Sequence, residues 1–301
     1  MGSDNEYLQN VPIGIITSDF TKFSEGNYSG REISVHRPTW DPEGVLVRYK
    51  LSGRSDGSKA REMFGSLEST IPDAYDNAIK KTVSIDFRDY EYSPNIFVKT
   101  SPLNESDDYT KAYQIYTALQ VMNGGECILA SNGHQTDSLI ERVKKSSDFF
   151  ENMDGHLKAV LNAWGPETDG PNKTPQTSRV AGIVNKKDEE FNYVLGSIDR
   201  YHKIVFQSAP LKSLDEGSSA IVSTYRHDTP WMDIPAEVRI VDEQGSKSFV
   251  DEINDSWKEA KKESVILRET KEEISVATSM AWVYVDKDGQ TEIEIRDAFK
   301  D

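Results

Sequence analysis

Cysteine is almost absent from this sequence: Cys127 stands alone in 301 residues. No disulfide can close within the chain, which fits a reducing cytoplasm. Cys127 opens the apolar run Cys127-Ile128-Leu129-Ala130, and that setting predicts a buried, inert thiol rather than a nucleophile. Positive charge is also scarce. Lys and Arg number 35 against 51 Asp and Glu, a formal net charge of −16. A field of that sign repels nucleic acid and anionic lipid. No apolar run approaches the ~20 residues a membrane helix needs. The opening Met1 to Glu6 is polar and acidic, unlike a secretory signal.

Several chemical signatures are missing as well. There is no Walker loop, no G-x-G-x-x-G and no G-x-S-x-G elbow. The 5 histidines are His36, His134, His156, His202 and His227. None pair at i,i+4 and no His/Cys cluster exists, so no metal site is expected. Polar loops at strand ends remain. That pattern suits catalysis by positioned side chains, without metal or redox cofactor.

What is present reads as an α+β protein. Apolar residues make up 36 % of the chain, enough for a core. Strand patterns fall at 11–17, 31–35, 44–52, 82–87 and 95–99. Runs at 113–122 and 126–131 flank Asn123-Gly124-Gly125, a strong hairpin signal. A helix should follow, capped by Thr136 or Asp137, with Leu139, Ile140, Val143 and Phe149 as its apolar stripe. A second should span 154–164. Residues 165–176, rich in Gly and Pro, should be irregular. Four strand-like runs (179–185, 192–198, 203–207, 220–225), an amphipathic helix over 247–263 and strands at 280–285 and 291–295 complete the chain. No internal repeat or linker divides it, so residues 1–301 are expected to form one domain.

One basic cluster stands out against the acidic background: Arg48, Lys50, Arg54, Lys59 and Arg61, with Asp56 the only acid among them. Charge alone allows two readings. The cluster is either a solvated strand edge, which lysine and arginine often guard, or a local attraction for an anionic metabolite.

Four separated segments carry a resemblance. They are Asn27-Tyr28-Ser29-Gly30-Arg31, then Gly53-Arg54-Ser55-Asp56-Gly57-Ser58-Lys59-Ala60-Arg61, then Ser131-Asn132-Gly133-His134-Gln135-Thr136-Asp137, and last Glu167 to Pro175 with Ser178-Arg179-Val180-Ala181-Gly182. Thr224-Tyr225-Arg226-His227-Asp228 is a weaker fifth. In this order, over residues 27–235, they resemble the archaeal-type IMP cyclohydrolases and their bacterial relatives. The Thr-Pro-Arg of that family is interrupted here by Gln176-Thr177-Ser178, and 236–301 matches least.

The resemblance implies a four-layer αββα sandwich like that of N-terminal-nucleophile hydrolases, without autoproteolysis. It implies closure of 5-formamidoimidazole-4-carboxamide ribonucleotide to IMP with loss of water. Both reacting groups sit on one molecule, so orientation lowers much of the barrier. A base should assist the amide nitrogen, and a fixed donor should meet the formyl oxygen. The matched positions supply Arg54 to polarise the formyl group, Tyr116 as hydrogen-bond donor and Glu167 as base. For substrate binding they supply Arg31, Ser58, Arg61, Tyr113, Asn132, Gly133, Gln135, Asn172, Thr174, Arg179 and Tyr225. The implied partner is a small purine nucleotide, with no cofactor, no metal, no nucleic acid and no membrane, and with room for a homo-oligomer.

Two other readings compete. A non-catalytic purine-nucleotide-binding relative would bind without turnover. An amide hydrolase of the related fold would need a Cys, Ser or Thr with a free α-amino group.

Overall fold

The computed structural model describes residues 23–27, 30–53, 61–68, 83–85, 95–102, 116–169, 174–224, 238–243, 245–262, 264–267, 273–275 and 277–297. The expected strand at 11–17 lies outside them. In chain order, strands β1 (Phe23–Asn27), β2 (Arg31–His36), β3 (Val45–Gly53), β4 (Arg61–Glu68), β5 (Val83–Ile85) and β6 (Asn95–Pro102) come first. Then come β7 (Tyr116–Met122), β8 (Cys127–Ser131), helix α1 (Gln135–Lys145) and helix α2 (Met153–Trp164). Next are β9 (Glu167–Asp169), β10 (Thr174–Thr177), β11 (Arg179–Lys187), β12 (Glu190–Ile198), β13 (Ile204–Pro210) and β14 (Ser218–Ser223). The last are β15 (Arg239–Asp242), helix α3 (Phe249–Ala260), β16 (Ser264–Leu267), β17 (Glu273–Ser275), β18 (Ala277–Val285) and β19 (Thr291–Asp297).

Among the described residues fourteen strands build two seven-stranded sheets, β1, β16 and β17 a small third and β9 and β10 a two-stranded fourth, and every pairing is antiparallel. Of the seven-stranded sheets, one runs β13-β12-β11-β8-β7-β6-β4 and the other β15-β14-β2-β3-β18-β19-β5. The alternation of β3 shows how they meet. Val45, Val47, Tyr49 and Leu51 join Ile128, Ala130, Val184 and Tyr193 of the other sheet in one apolar cluster. The opposite face of the first sheet packs Cys127, Leu129, Ile183 and Val194 against Leu139, Ile140, Leu157 and Leu161 of α1 and α2. The opposite face of the second packs Leu46, Met280 and Trp282 against Phe249, Ile253 and Trp257 of α3. Each helix is amphipathic and covers one sheet face, as the period-3.6 pattern requires.

The hairpin at 116–131 forms as expected. Its turn, Asn123–Gly125, holds three successive residues at positive φ (53°, 66° and 91°), two of them glycines. Glycine accepts that region without a Cβ clash. Cys127 is fully buried, and burial pushes its thiol up to about 12. That bears out the inert reading.

Three expectations are corrected. Residues 165–176 are not wholly irregular, because β9 and β10 pair as a short antiparallel hairpin. Backbone pairing there overrides a composition rich in Gly and Pro. Neither Thr136 nor Asp137 caps α1: no side chain does, and both lie inside its first turn. Thr136 Oγ1 turns inward to Ser131 Oγ at 2.6 Å. Finally, Arg48 and Lys50 do not guard a solvated edge. Strand β3 lies between β2 and β18, and both side chains are buried.

Candidate active site

The site is assembled where strand ends of the two sheets converge. Gly30, at φ 73°, turns the chain into β2. Arg31 is then pinned by its backbone: its N–H donates to Thr224 Oγ1 at 3.1 Å, and its carbonyl accepts from Thr224 N–H at 2.9 Å. Its guanidinium reaches Glu167 at the start of β9, Nη1 to Oε2 at 2.7 Å. Both side chains are largely shielded, at 13 % and 17 % exposure. A shielded pair of this kind is far stronger than a surface one but must offset desolvation.

Arg179, at the start of β11, is the second guanidinium. Burial holds its pKa below the usual guanidinium range; Glu167 and Tyr116 are close enough to oppose that shift, and Arg31 to add to it. Its Nε is buried and has no hydrogen-bond partner. Among the described residues the cluster holds two guanidiniums, Arg31 and Arg179, and one carboxylate, Glu167. The buried, unsatisfied Arg179 Nε is a donor that suits an anion.

The turn between β8 and α1 braces Arg179. Asn132 is locked to β11: its Oδ1 accepts from Val180 N–H at 2.9 Å, and its Nδ2 donates to Ser178 O at 3.1 Å. Gln135 Nε2 donates to the same Asn132 Oδ1 at 2.9 Å, and Gln135 Oε1 accepts from Arg179 Nη1 at 3.3 Å. Both ends of the Gln135 amide are thus engaged. Gly133 lets the Gln135 and Arg179 side chains close over the turn. A Cβ on it would lie 2.5 Å from Gln135 Oε1 and 2.8 Å from Arg179 Nη1. On its other side Arg179 lies over the Trp164 ring, 5.5 Å to the centroid, and Trp164 Nε1–H donates to Ser138 Oγ at 2.9 Å.

Tyr116, at the start of β7, is buried between the sheets, and its hydroxyl shares a 2.8 Å hydrogen bond with Tyr49 of β3. So the structure brings together six of the residues singled out in the sequence: Arg31, Tyr116, Asn132, Gln135, Glu167 and Arg179, with Gly133 at the turn. Arg54, Ser58, Tyr113, Asn172 and Tyr225 lie outside the described residues. Arg61 and Thr174 fall on β4 and β10, with their side chains outside the described set. Tyr49, Trp164 and Ser138 were not anticipated. Tyr49 reads as one more inward residue of an alternating strand, and Trp164 as the end of an amphipathic helix.

A second polar cluster lies on the far face of the β2–β3 sheet, under α3. Arg48 donates to Ser34 Oγ at 2.7 Å and pairs with Glu243 at 2.5 Å and Glu252 at 2.8 Å. His36 Nδ1 meets Ser219 Oγ at 2.9 Å. His36, Glu243 and Glu252 present ligand atoms within 4.8 Å of one another, a geometry that a metal ion could share. The donor set does not fit one, because the Arg48 guanidinium already bonds both carboxylates and sets a positive charge beside them. This cluster ties β15 and α3 to the sheet.

Compared with known protein families, the chain matches the model for IMP cyclohydrolase-like proteins over residues 81–280. No curated protein matches it. Among the described residues, no helix is long and apolar enough to cross a membrane.

Proposed function

The chain belongs to the IMP cyclohydrolase-like protein family, and from that premise we propose that it closes 5-formamidoimidazole-4-carboxamide ribonucleotide to IMP, as one domain in the cytoplasm. The proposal includes the four-layer αββα architecture. Helices on the outer faces of two packed sheets are consistent with it.

The observation that carries the reading is the ion pair of Arg31 and Glu167 beside Arg179 and Tyr116, four side chains from four distant strands at one shielded centre. In the proposed reaction, Glu167 takes a proton from the carboxamide nitrogen as that nitrogen bonds to the formyl carbon. The formyl oxygen gains negative charge, which a phenol or guanidinium stabilises. Protonation gives a ring hydroxyl, which takes a second proton and leaves as water while the former formamido nitrogen gives up its N–H proton and forms the C=N bond. Tyr116 suits the donor role because Tyr49 fixes its hydroxyl. Arg179 and Arg31 suit an anionic part of the substrate, with Arg179 presenting an unsatisfied Nε donor. Arg54 is assigned to formyl polarisation on the resemblance alone.

The test is turnover of the formamido nucleotide by the purified chain without added metal, followed by ultraviolet absorbance. Absence of turnover, with IMP binding intact by calorimetry, would replace this reading with that of a non-catalytic nucleotide-binding relative.

A further inference from the structure

Helices α1 and α2 form an open groove of about 690 Å³ on their outer side, separate from the Arg31–Glu167 pair. That volume lies within the range of small-molecule sites. We propose that this groove binds a nucleoside monophosphate-type ligand, with a flat heteroaromatic ring against Trp164 and a phosphate on Arg142.

The ring end is built first. Trp164 is 41 % exposed, which is unusual for the largest apolar side chain. Its plane is fixed, because Nε1–H is held by Ser138 and Arg179 lies against the ring. The His134 ring stands near-parallel at 6.2 Å between centroids, at an interplanar angle of 24°. A fixed, exposed indole with a second flat ring beside it offers stacking at low entropic cost.

The anion end lies one turn along α1. Arg142 is half-buried and lines the groove. Its side chain meets only His156 Nδ1, at 3.2 Å, and no carboxylate among the described residues lies within ion-pair distance. Of the acids that share the groove, Glu141 pairs with Lys145 at 2.5 Å, and Asp137 Oδ2 lies 3.4 Å from His134 Nδ1. Among the described residues Arg142 has no carboxylate partner. Ser138, which holds the indole, and Arg142 are four residues apart, about 6 Å along the helix axis. A nucleoside monophosphate separates its base and phosphate by a comparable reach.

The groove would also communicate with the candidate active site. Trp164 touches Arg179 directly, and Glu167 follows it three residues later. A ligand on the indole changes the surroundings of both. The site stands on its own geometry and does not depend on the cyclohydrolase reading.

The experiment titrates adenosine 5′-monophosphate, adenosine and inorganic phosphate separately against the full chain, read by tryptophan fluorescence. We expect saturable quenching by the monophosphate that disappears in Trp164→Phe. Affinity should fall at least tenfold in Arg142→Gln and in Ala163→Phe, which fills the groove from an exposed position. Adenosine and phosphate alone should each bind at least tenfold more weakly. No saturable response, or undiminished affinity in the two groove variants, overturns the proposal. So does phosphate binding as tightly as the nucleotide, because the ring would then contribute nothing.

Discussion

Arg31 and Glu167 are 136 residues apart in sequence, and their side chains meet at 2.7 Å. The contact joins β2 of one sheet to the β9–β10 hairpin that precedes β11 of the other. It is the link that puts a carboxylate beside the paired guanidiniums. Arg179 lies beside this pair, and its buried Nε donor has no hydrogen-bond partner among the described residues, which suits an anion.

Replacing Glu167 separates base chemistry from scaffolding. Glu167→Gln keeps the size and one hydrogen-bond acceptor for Arg31 but removes the proton acceptor. We expect kcat to fall by roughly 10²- to 10⁴-fold, the range for loss of a general base. The thermal midpoint should fall as well, because Arg31 keeps an acceptor but loses its counter-charge, so rates are compared below the unfolding range. Steady-state rates with the formamido nucleotide provide the check, and a variant with wild-type kcat would remove the assigned role.

Tyr116 should act through its hydroxyl alone. Tyr116→Phe preserves the buried ring and deletes the donor held by Tyr49. An expected fall in kcat of about 100-fold follows from loss of one preorganised oxyanion donor. Tyr49→Phe leaves the Tyr116 hydroxyl in place but unfixed, so its effect should be smaller. Equal losses in the two variants would mean that the pair acts as structure only.

Much of this arrangement could be read from sequence, and the reasons differ by element. The β7–β8 hairpin was legible because Asn123-Gly124-Gly125 supplies the positive-φ turn locally. Helices α1 and α2 were legible because Leu139, Ile140, Leu157 and Leu161 repeat at helical spacing. Arg48 was not, because the carboxylates that make its burial tolerable, Glu243 and Glu252, lie about two hundred residues further on. The β9–β10 pairing was hidden by Gly and Pro, which mark a break in local pattern but do not forbid a two-stranded ladder. Arg31, Glu167 and Arg179 were found through motif resemblance. Their mutual contact, and the bracing of Arg179 by Gln135 and Trp164, exist only in three dimensions.

Gly133 tests that bracing. A Cβ there meets the ends of two long side chains, not backbone. Gln135 and Arg179 can move aside, so Gly133→Ala should change the unfolding free energy by less than ~1 kcal/mol. The cost should fall on Arg179, displaced from its seat between Gln135 and Trp164. If Arg179 binds an anionic part of the substrate equally in ground and transition states, KM should rise about tenfold with kcat nearly unchanged. A change confined to kcat would assign Arg179 to the chemical step instead.

The polar cluster under α3 makes stability depend on pH. Burial, with Arg48 adding to it, lowers the His36 pKa from 6.5 to about 4, so the folded protein holds the ring neutral. The unfolded chain protonates it near 6.5. Between these values the unfolded state binds more protons, and stability therefore falls as pH drops from 6.5 towards 4. The displacement corresponds to about 3 kcal/mol for a group this buried. Glu243, whose pKa is lowered through Arg48 against the pull of burial, loses stability in the same direction at lower pH. Glu252, raised by burial, acts in the opposite sense. Chemical denaturation of the wild type and of His36→Gln at intervals between pH 4 and 7 isolates the histidine. The variant should lose most of the slope between pH 6.5 and 4. An unchanged slope would mean that the pH dependence comes from the carboxylates around Arg48.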